Sequence, residues 1–461
     1  MADDAVLRAL AAACPAARAA GAGDAVAGVV PRYVASPASV AEASALMRAA
    51  AGQDLTVVPR GSGSRLDWGC LPVRCDLVVD TLGLDQVVEH AAGDLVARVQ
   101  AGTGMRRLGQ VLAAAGQQLA LDAAPGGNGR AGGEPAGTGP GGGTVGGTLA
   151  TGAAGPRRLR YGTPRDLVIG ITVVRADGTV ASAGGKVVKN VAGYDLGKLF
   201  AGSYGTLGVI VEAVFRLHPL PAAAAYTAVD AAGPAEARRM VAAAAGSQLA
   251  PTAVEISRVG RGQPVRVAVL LEGDQAGVGE RAAHLRRLLG GGAQTSPDAP
   301  GWWGRTGPPG GHDGAGGHDG AGGAGTLIRV GFWAAALPAV LAAIDGAAAA
   351  GGLDPLVAGS AAAGVIYVAL GAGAHPAAVA AFVASLREAL ARGAAGARPA
   401  SAPVPDSPPV LASAVVVHAP PAVRELADLW GPVPGLPLMR AVKDQFDPGH
   451  RMAPGRFAGG I

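Results

Sequence analysis

The sequence is poor in the residue types that form disulfide frameworks, ligate clusters or bind nucleic acid. Its three cysteines, Cys14, Cys70 and Cys75, are too few for a disulfide framework, and an iron–sulfur cluster normally takes four. Aromatic residues make up 4% of the chain, and the net charge is only +4. The one dense basic stretch, residues 155–165, lacks the wide basic stripe with interleaved aromatics that a nucleic-acid face needs. We therefore expect reduced structural thiols and no nucleic-acid partner.

Signals for export and for membrane insertion are also missing from the sequence. The N-terminus, MADDAVLRAL, has neither a basic region nor a cleavable apolar core, so no signal peptide is predicted. The long uncharged stretch 356–386 is interrupted by glycines, His375 and Pro376, and it is predicted to form a strand followed by a helix. The expectation is a cytoplasmic chain with no membrane span of its own.

Glycine is abundant, with 75 residues, and proline contributes another 34. Two glycine-rich stretches, 123–143 and 305–325, cannot bury enough apolar surface to fold, so both are predicted to be insertions in surface loops. We interpret His312 and His318, in the second stretch, as part of a polar linker. No metal site is predicted in the chain.

Hydrophobic periodicity outside these stretches predicts an α+β fold. Residues 1–221 alternate helices with strands, and they include a helix predicted to be capped by Ser36. Residues 222–434 alternate strands with amphipathic helices, a pattern that most often forms one antiparallel sheet with helices on one face. Residues 435–461 are richer in charged and aromatic residues, and we expect them to pack back on the first domain.

The first segment with chemical character is PRGSGSR, residues 59–65, which follows the apolar strand LTVV. Successive glycine and serine amides after a strand can form an anion-binding concavity, and the serine hydroxyls and flanking arginines add donors and positive charge. A diphosphate suits this set of donors. A tight structural turn is an equally good interpretation. A Rossmann loop is disfavoured because the third glycine and the following helix are missing.

Two further glycine-rich segments follow. Residues 141–168 contain many small side chains, which would let a flat ring system lie against the backbone. Residues 184–210 hold Lys186, Lys189 and Lys198, three of the four lysines in a chain that otherwise uses arginine. A compact positive charge near a cofactor would explain this use of lysine, whereas chance clustering and pairing with a partner protein are the alternatives.

These motifs resemble the FAD-binding domain of the vanillyl-alcohol-oxidase-type (PCMH-type) flavoproteins, and most specifically the FAD-binding (E) subunits of bacterial glycolate oxidase. PRGSGSR, KNVAGYD and APGRF carry the resemblance. It implies a PCMH-type FAD-binding domain of two α/β subdomains in residues 1–221, and a smaller cap domain in residues 222–434. It also implies non-covalent FAD, since residues 59–65 have serines where covalent relatives carry a histidine.

The resemblance also implies a set of site residues. The residues expected to bind FAD are Pro59, Arg60, Gly61, Ser62, Gly63, Ser64, Arg65, Thr144, Gly146, Gly147, Thr148, Thr151, Gly152, Tyr161, Gly162, Gly208, Val209 and Ile210. Lys189 and Tyr194 are the candidate catalytic residues.

By resemblance, the chain supports oxidation of glycolate to glyoxylate within a complex. Its expected partners are a larger FAD-containing catalytic subunit and an iron–sulfur subunit, which could hold it peripherally at the inner face of the membrane. The sequence lacks the H-x-G-D-G-N-x-H run of catalytic relatives, and Ala453 replaces an asparagine that they often have. Two alternatives therefore stay open: a free-standing FAD-dependent 2-hydroxy-acid (D-lactate-type) dehydrogenase, and a non-catalytic assembly module.

Overall fold

The structure is a computed structural model that describes residues 2–122, 143–186, 195–305, 325–396 and 412–461. Except for their end residues, the two predicted glycine-rich insertions lie outside this described part of the chain. The candidate catalytic residues Lys189 and Tyr194 also lie outside it.

Two main sheets, and a small one formed by two-residue strands at 117–118 and 218–219, lie in the N-terminal half of the described chain. The first sheet has the strand order β1-β2-β4-β3 and the second has the order β5-β6-β10-β8-β9. The strands up to β11 are β1 Arg18–Ala19, β2 Tyr33–Ala35, β3 Val57–Arg60, β4 Leu77–Asp80, β5 Val87–Ala91, β6 Val96–Gln100, β7 Gln117–Gln118, β8 Val168–Val174, β9 Val180–Gly184, β10 Val209–Arg216 and β11 His218–Pro219. The associated helices are α1 Ala2–Ala13, α2 Val40–Gly52, α3 Met105–Ala113, α4 Val145–Thr151, α5 Arg158–Tyr161, α6 Pro164–Leu167 and α7 Gly197–Phe200.

The start of α2 differs from the sequence-based expectation. The predicted cap, Ser36, is wrong: the helix begins at Val40 with Ser39 as its N-cap, whose hydroxyl accepts a hydrogen bond from the Glu42 amide at 3.1 Å. The Glu42 carboxylate in turn accepts from the Ala38 amide at 2.9 Å. Ser39 is favoured because only this serine has an acidic residue three positions later to satisfy the free amides of the first turn.

The middle of the chain forms one large antiparallel sheet with the order β15-β12-β14-β13-β17-β18-β16-β19. Its strands are β12 Ala223–Ala231, β13 Ala253–Val259, β14 Val265–Gly273, β15 Gln294–Ser296, β16 Thr326–Phe332, β17 Leu356–Ser360, β18 Val365–Leu370 and β19 Ala412–His418. The helices in this part are α8 Pro234–Ala245, α9 Gln275–Leu289, α10 Leu337–Ala350, α11 Pro376–Gly396 and α12 Pro421–Arg424. None of the helices in the described ranges is long and apolar enough to cross a membrane.

The two faces of this cap sheet have different neighbours. Alternate strand residues such as Val254, Ile256 and Val368 pack with α8, α9, α10 and α11 in one apolar core. The other face is turned toward the N-terminal half, where Val417 of β19 packs against Trp68. The predicted α+β class, with an antiparallel cap sheet and helices on one face, is confirmed.

The C-terminal segment joins the first sheet. Helix α13, Leu436–Phe446, contacts the core of the second sheet through Phe446, whose ring meets that of Phe200 at 5.5 Å. Beyond it, the Val57 amide donates to the Arg451 carbonyl, and the Ala453 amide donates to the Val57 carbonyl, both at 2.8 Å. We propose, from this arrangement, the domain division 1–221, 222–434 and 435–461.

Candidate functional site

The loop after β3 is shaped by its contact with the start of α4. A Cβ atom placed on Gly61 would lie 2.2 Å from Thr144 Oγ1, so only glycine lets the two segments approach this closely. Thr144 caps α4, and its hydroxyl accepts from the Gly147 amide at 3.3 Å. Gly63 has φ of 76°, a left-handed conformation that favours glycine. The first two glycine-rich segments of the sequence therefore meet in the fold.

The third segment completes this arrangement just before β10. Gly208 has φ of 156°, and a Cβ atom there would lie 2.9 Å from the Val174 carbonyl oxygen. Tyr204 adopts φ of 55°, which is uncommon for a residue with a bulky side chain. A Cβ on Gly205 would lie 3.1 Å from the Pro59 ring. Backbone from the third segment thus packs directly on the first loop.

Between these segments lies an open cleft of about 720 Å³. Its lining residues are Pro59, Arg60, Gly61, Ser62, Gly63, Ser64, Arg65, Leu66, Thr81, Thr144, Gly146, Gly147, Ala150, Thr151, Tyr204, Gly205, Gly208, Ile210 and Arg456. Most of the residues expected to bind FAD are brought together here. Five of them do not line the cleft, namely Thr148, Gly152, Tyr161, Gly162 and Val209, and their assignment to FAD stays a prediction.

Sequence reasoning missed Leu66, Thr81, Tyr204, Gly205 and Arg456 among the lining residues, whereas Ala150 belongs to the small residues of the second segment that were expected beside a flat ring. Arg456 lies in the APGRF motif, which was recognised but given no role. Tyr204 lies in the third segment, where the three lysines were the main feature singled out in the sequence. Its left-handed backbone, the clearest mark of a special position, is visible only in the structure.

The arginines of the first loop have different environments. Arg60 is paired with Asp24 at 3.3 Å and with Asp80 at 2.9 Å, so its charge is already neutralised by the protein. Arg65 and Arg456 are both buried, and within the described residues neither has a carboxylate at ion-pair distance. Arg65 Nε and Arg456 Nη1 have no hydrogen-bond partner there. Burial lowers the pKa of Arg65, and it lowers the pKa of Arg456 to about 10.

Tyr161 lies outside the cleft, in a polar cluster between the N-terminal half and the cap sheet. Its hydroxyl donates to Glu272 Oε2 at 3.2 Å, and Arg157 Nη2 lies 3.1 Å from Glu272 Oε1. Nearby on the same sheet face, Glu255 is buried and accepts a hydrogen bond from the Ser360 hydroxyl. Burial raises the pKa of Glu255 to about 8, although the serine opposes this shift.

The described lysines of the third segment are on the surface. Lys186 Nζ lies 2.5 Å from Glu89 Oε2, and Lys198 Nζ lies 2.9 Å from Asp195 Oδ2. Neither lines the cleft. The fourth lysine, Lys443, is buried and bonds to the Thr206 carbonyl at 2.8 Å. It therefore supports the loop that carries Tyr204 and Gly205.

The histidines of the cap are dispersed. His284 is exposed, and His418 Nδ1 lies 2.6 Å from Asp67 Oδ2. His312 and His318 lie outside the described residues. Across the described ranges, no group of three or more histidine, cysteine, aspartate or glutamate residues is arranged to hold a metal ion.

Comparison with known proteins identifies the domain that carries the cleft. Residues 31–143 and 137–184 match the family model of the FAD binding domain. Over the whole chain the fold is similar to p-cresol methylhydroxylase, with a TM-score of 0.67, 16% identity, and coverage of 98% of this chain and 96% of that one. Chitooligosaccharide oxidase gives a TM-score of 0.58 at 16% identity, covering 91% and 90% of the two chains.

Several curated proteins also match part of the chain. The chain is 33% identical to glycolate oxidase subunit GlcD of Bacillus subtilis (strain 168) over 208 residues, 44% of this chain and 41% of that protein. It is 34% identical to D-2-hydroxyglutarate dehydrogenase of Xanthomonas citri pv. viticola, covering 41% and 38%. It is also 34% identical to D-lactate dehydrogenase of Archaeoglobus fulgidus, covering 40% and 38%. The matches thus span about two fifths of the length of these relatives.

The chain therefore has the fold of p-cresol methylhydroxylase. More particularly, residues 31–184 contain an FAD binding domain, and the cofactor of the chain is FAD. The predicted resemblance is confirmed at this level. The cleft fits the cofactor chemically, because glycine and serine donors line it beside small residues such as Gly147 and Ala150.

Proposed function

We propose that the chain binds FAD non-covalently in the cleft and acts as the FAD-binding subunit of a complex that oxidises glycolate to glyoxylate. The observation that carries the proposal is the meeting of three glycine-rich segments around one cleft, the first two of which lie inside the matched FAD binding domain. The proposed partners are a larger flavin-containing subunit and an iron–sulfur subunit. A cytoplasmic location, peripheral at the inner face of the membrane through these partners, is part of the proposal.

Each part of the cleft has a role in this proposal. The amides and hydroxyls of residues 61–64 hold the diphosphate, while Gly146 and Gly147 let the cofactor approach the backbone. Arg65, Tyr204 and Arg456 form the end of the cleft near the cap. When bound, FAD would be the two-electron acceptor for oxidation of the alcohol carbon of the 2-hydroxy acid.

The class of substrate is inferred from the relatives, whose names give glycolate, D-2-hydroxyglutarate and D-lactate. All three are 2-hydroxy acids, so this class is better supported than glycolate in particular. A free-standing 2-hydroxy-acid dehydrogenase is the second candidate. It is favoured by the eight-stranded cap sheet, whose face toward the N-terminal half carries Glu255, Ser360 and Tyr367. The third candidate, an assembly module without flavin, has no observation in its favour.

The deciding experiment is an anaerobic titration of the purified chain with glycolate, D-lactate and D-2-hydroxyglutarate, following the oxidised-flavin absorbance. Release of the flavin on denaturation tests non-covalent binding. A yellow protein that bleaches only after the larger flavin subunit is added supports the complex. Bleaching of the chain alone supports the free-standing enzyme. A colourless protein that does not take up added FAD would leave only the assembly module.

A further inference from the structure

Two buried arginines at one end of the cleft have no carboxylate at ion-pair distance among the described residues. Arg65 is 8% exposed and Arg456 is 4% exposed, and both line the cleft. Arg65 Nε and Arg456 Nη1 make no hydrogen bond within the described part of the chain. Arg456 Nη2 donates a hydrogen bond to the Trp68 carbonyl at 2.7 Å.

Burying an unpaired cation costs several kcal/mol, and a guanidinium cannot avoid this cost by losing its proton at neutral pH. Arg60 shows how the same loop neutralises a structural arginine, through Asp24 and Asp80. No such pair exists for Arg65 or Arg456 in the described residues. An anionic ligand is therefore the group that would balance their charge.

Both arginines contact Trp68, and the Arg65 guanidinium also lies near Ser64, since a Cβ atom on Gly143 would be 3.0 Å from Arg65 Nη1 and 3.2 Å from Ser64 Oγ. The Arg65 guanidinium lies over the Trp68 ring at 5.7 Å, and Arg456 is bonded to the carbonyl of the same residue. The next residue, Gly69, donates to the Val417 carbonyl of the cap sheet at 3.1 Å. This end of the cleft therefore adjoins the cap, where a small substrate would be enclosed.

Tyr204 lines the cleft together with both arginines. Its backbone is held at φ of 55°, with its amide donating to the Ala150 carbonyl at 2.8 Å. Such strained residues cluster at ligand-binding sites. Its ring packs against Trp430 and Phe457, so the side chain is fixed in place.

We propose that Arg65 and Arg456, with the Tyr204 hydroxyl, form a subsite for the carboxylate of the small acid. This inference rests on the proposed function, because it assumes that FAD occupies the rest of the cleft. A guanidinium matches a carboxylate because it presents two parallel N–H donors to its two oxygens. The same two arginines could instead bind the negatively charged cofactor. The test therefore measures the affinity for the carboxylate and the affinity for FAD separately.

The test uses the flavin-loaded protein and oxalate, a small carboxylate that cannot be oxidised as a 2-hydroxy acid. Oxalate binding is followed by the perturbation of the flavin spectrum, and FAD affinity is followed by fluorescence titration of the apoprotein. R456Q should weaken oxalate binding at least about tenfold, which corresponds to about 1.4 kcal/mol, while FAD affinity changes less than about twofold. R451Q is the matched control, because the Arg451 guanidinium bonds to the Ala51 and Ala176 carbonyls away from the cleft.

Two milder variants keep the test decisive if R456Q does not fold. R456K retains the charge but loses the paired donors, and Y204F removes only a hydroxyl, so both should weaken oxalate binding severalfold. Wild-type oxalate affinity in both would overturn the subsite. Loss of FAD affinity in parallel with oxalate affinity would also overturn it, by assigning the arginines to the cofactor. Failure of the proposed function looks different: oxalate would still bind, but no 2-hydroxy acid would reduce the flavin, either in the chain alone or after addition of the larger flavin subunit.

Discussion

Lys443 Nζ lies 2.7 Å from Asp447 Oδ2, one turn further along α13, and both side chains are almost completely buried. The ammonium group also donates to the Thr206 carbonyl at 2.8 Å and to the Met452 carbonyl at 2.9 Å. The same Asp447 oxygen accepts from the Met452 amide at 2.7 Å. The pair thus ties the C-terminal segment to the loop that carries Tyr204 and Gly205, which line the cleft.

We expect K443M to lower the free energy of unfolding by about 3–5 kcal/mol, because it leaves the Asp447 carboxylate buried without its cation. Denaturant unfolding of the purified protein measures this change. K198M is the control, since Lys198 makes only an exposed pair with Asp195, and it should change stability by less than about 1 kcal/mol. Equal effects of the two substitutions would show that the buried pair does not anchor the segment.

A second prediction concerns the contact between Gly61 and Thr144. In G61A the new Cβ would meet Thr144 Oγ1, so the loop must move away from α4. FAD affinity should fall at least about tenfold, or about 1.4 kcal/mol, as measured by fluorescence titration. The control is G109A in α3, where a Cβ meets nothing within 4 Å. That variant should bind FAD normally and gain about 0.5–1 kcal/mol of stability.

The third prediction tests a residue that the resemblance assigned to FAD but that does not line the cleft. Y161F removes the hydroxyl that donates to Glu272, so it should cost about 1 kcal/mol of stability. Because Tyr161 faces the cap sheet, FAD affinity should stay within about twofold of wild type. T151V offers a comparison inside the cleft, where Thr151 is a lining residue. A large loss of FAD affinity in Y161F but not in T151V would support the assignment of Tyr161 to FAD that the resemblance implies.

The sequence predicted the parts of the site that are contiguous in the chain. The three glycine-rich segments were recognised because glycines and hydroxyl residues repeat at short spacing, and the structure places most of them around one cleft. Arg456 and Tyr204 were missed because they join the cleft through tertiary contacts between distant segments, which local patterns do not encode. Tyr161 shows the converse: it is close in sequence to the second segment, yet α5 turns it toward Glu272 of the cap.

The domain pattern was easier to predict than its details. The alternation of apolar strands with amphipathic helices was enough to predict the antiparallel cap sheet. Burial of one sheet face against helices fixes the spacing of apolar residues both in the strands and in the helices. The start of α2 was misplaced by three residues, since Ser36 and Ser39 are both good caps by residue type. Only the partner three positions later, Glu42, distinguishes them.

The last prediction concerns Glu255, whose pKa is raised by burial to about 8. Its ordinary value is about 4.3, so between roughly pH 4.3 and 8 the unfolded chain loses this proton while the folded chain keeps it. The folded state then binds more protons than the unfolded state, and stability falls as the pH rises through this window. Above about pH 8 both states are ionised, and this contribution levels off.

E255Q should remove that pH dependence, because the amide keeps a polar group beside Ser360 but does not ionise. We expect the stability of E255Q relative to wild type to increase from pH 5 to pH 8 by an amount on the order of a few kcal/mol. Denaturant unfolding at a series of pH values measures it. E280Q on the exposed surface of α9 is the control and should track wild type. A difference between E255Q and wild type that stays constant with pH would mean that Glu255 is ionised in the folded protein.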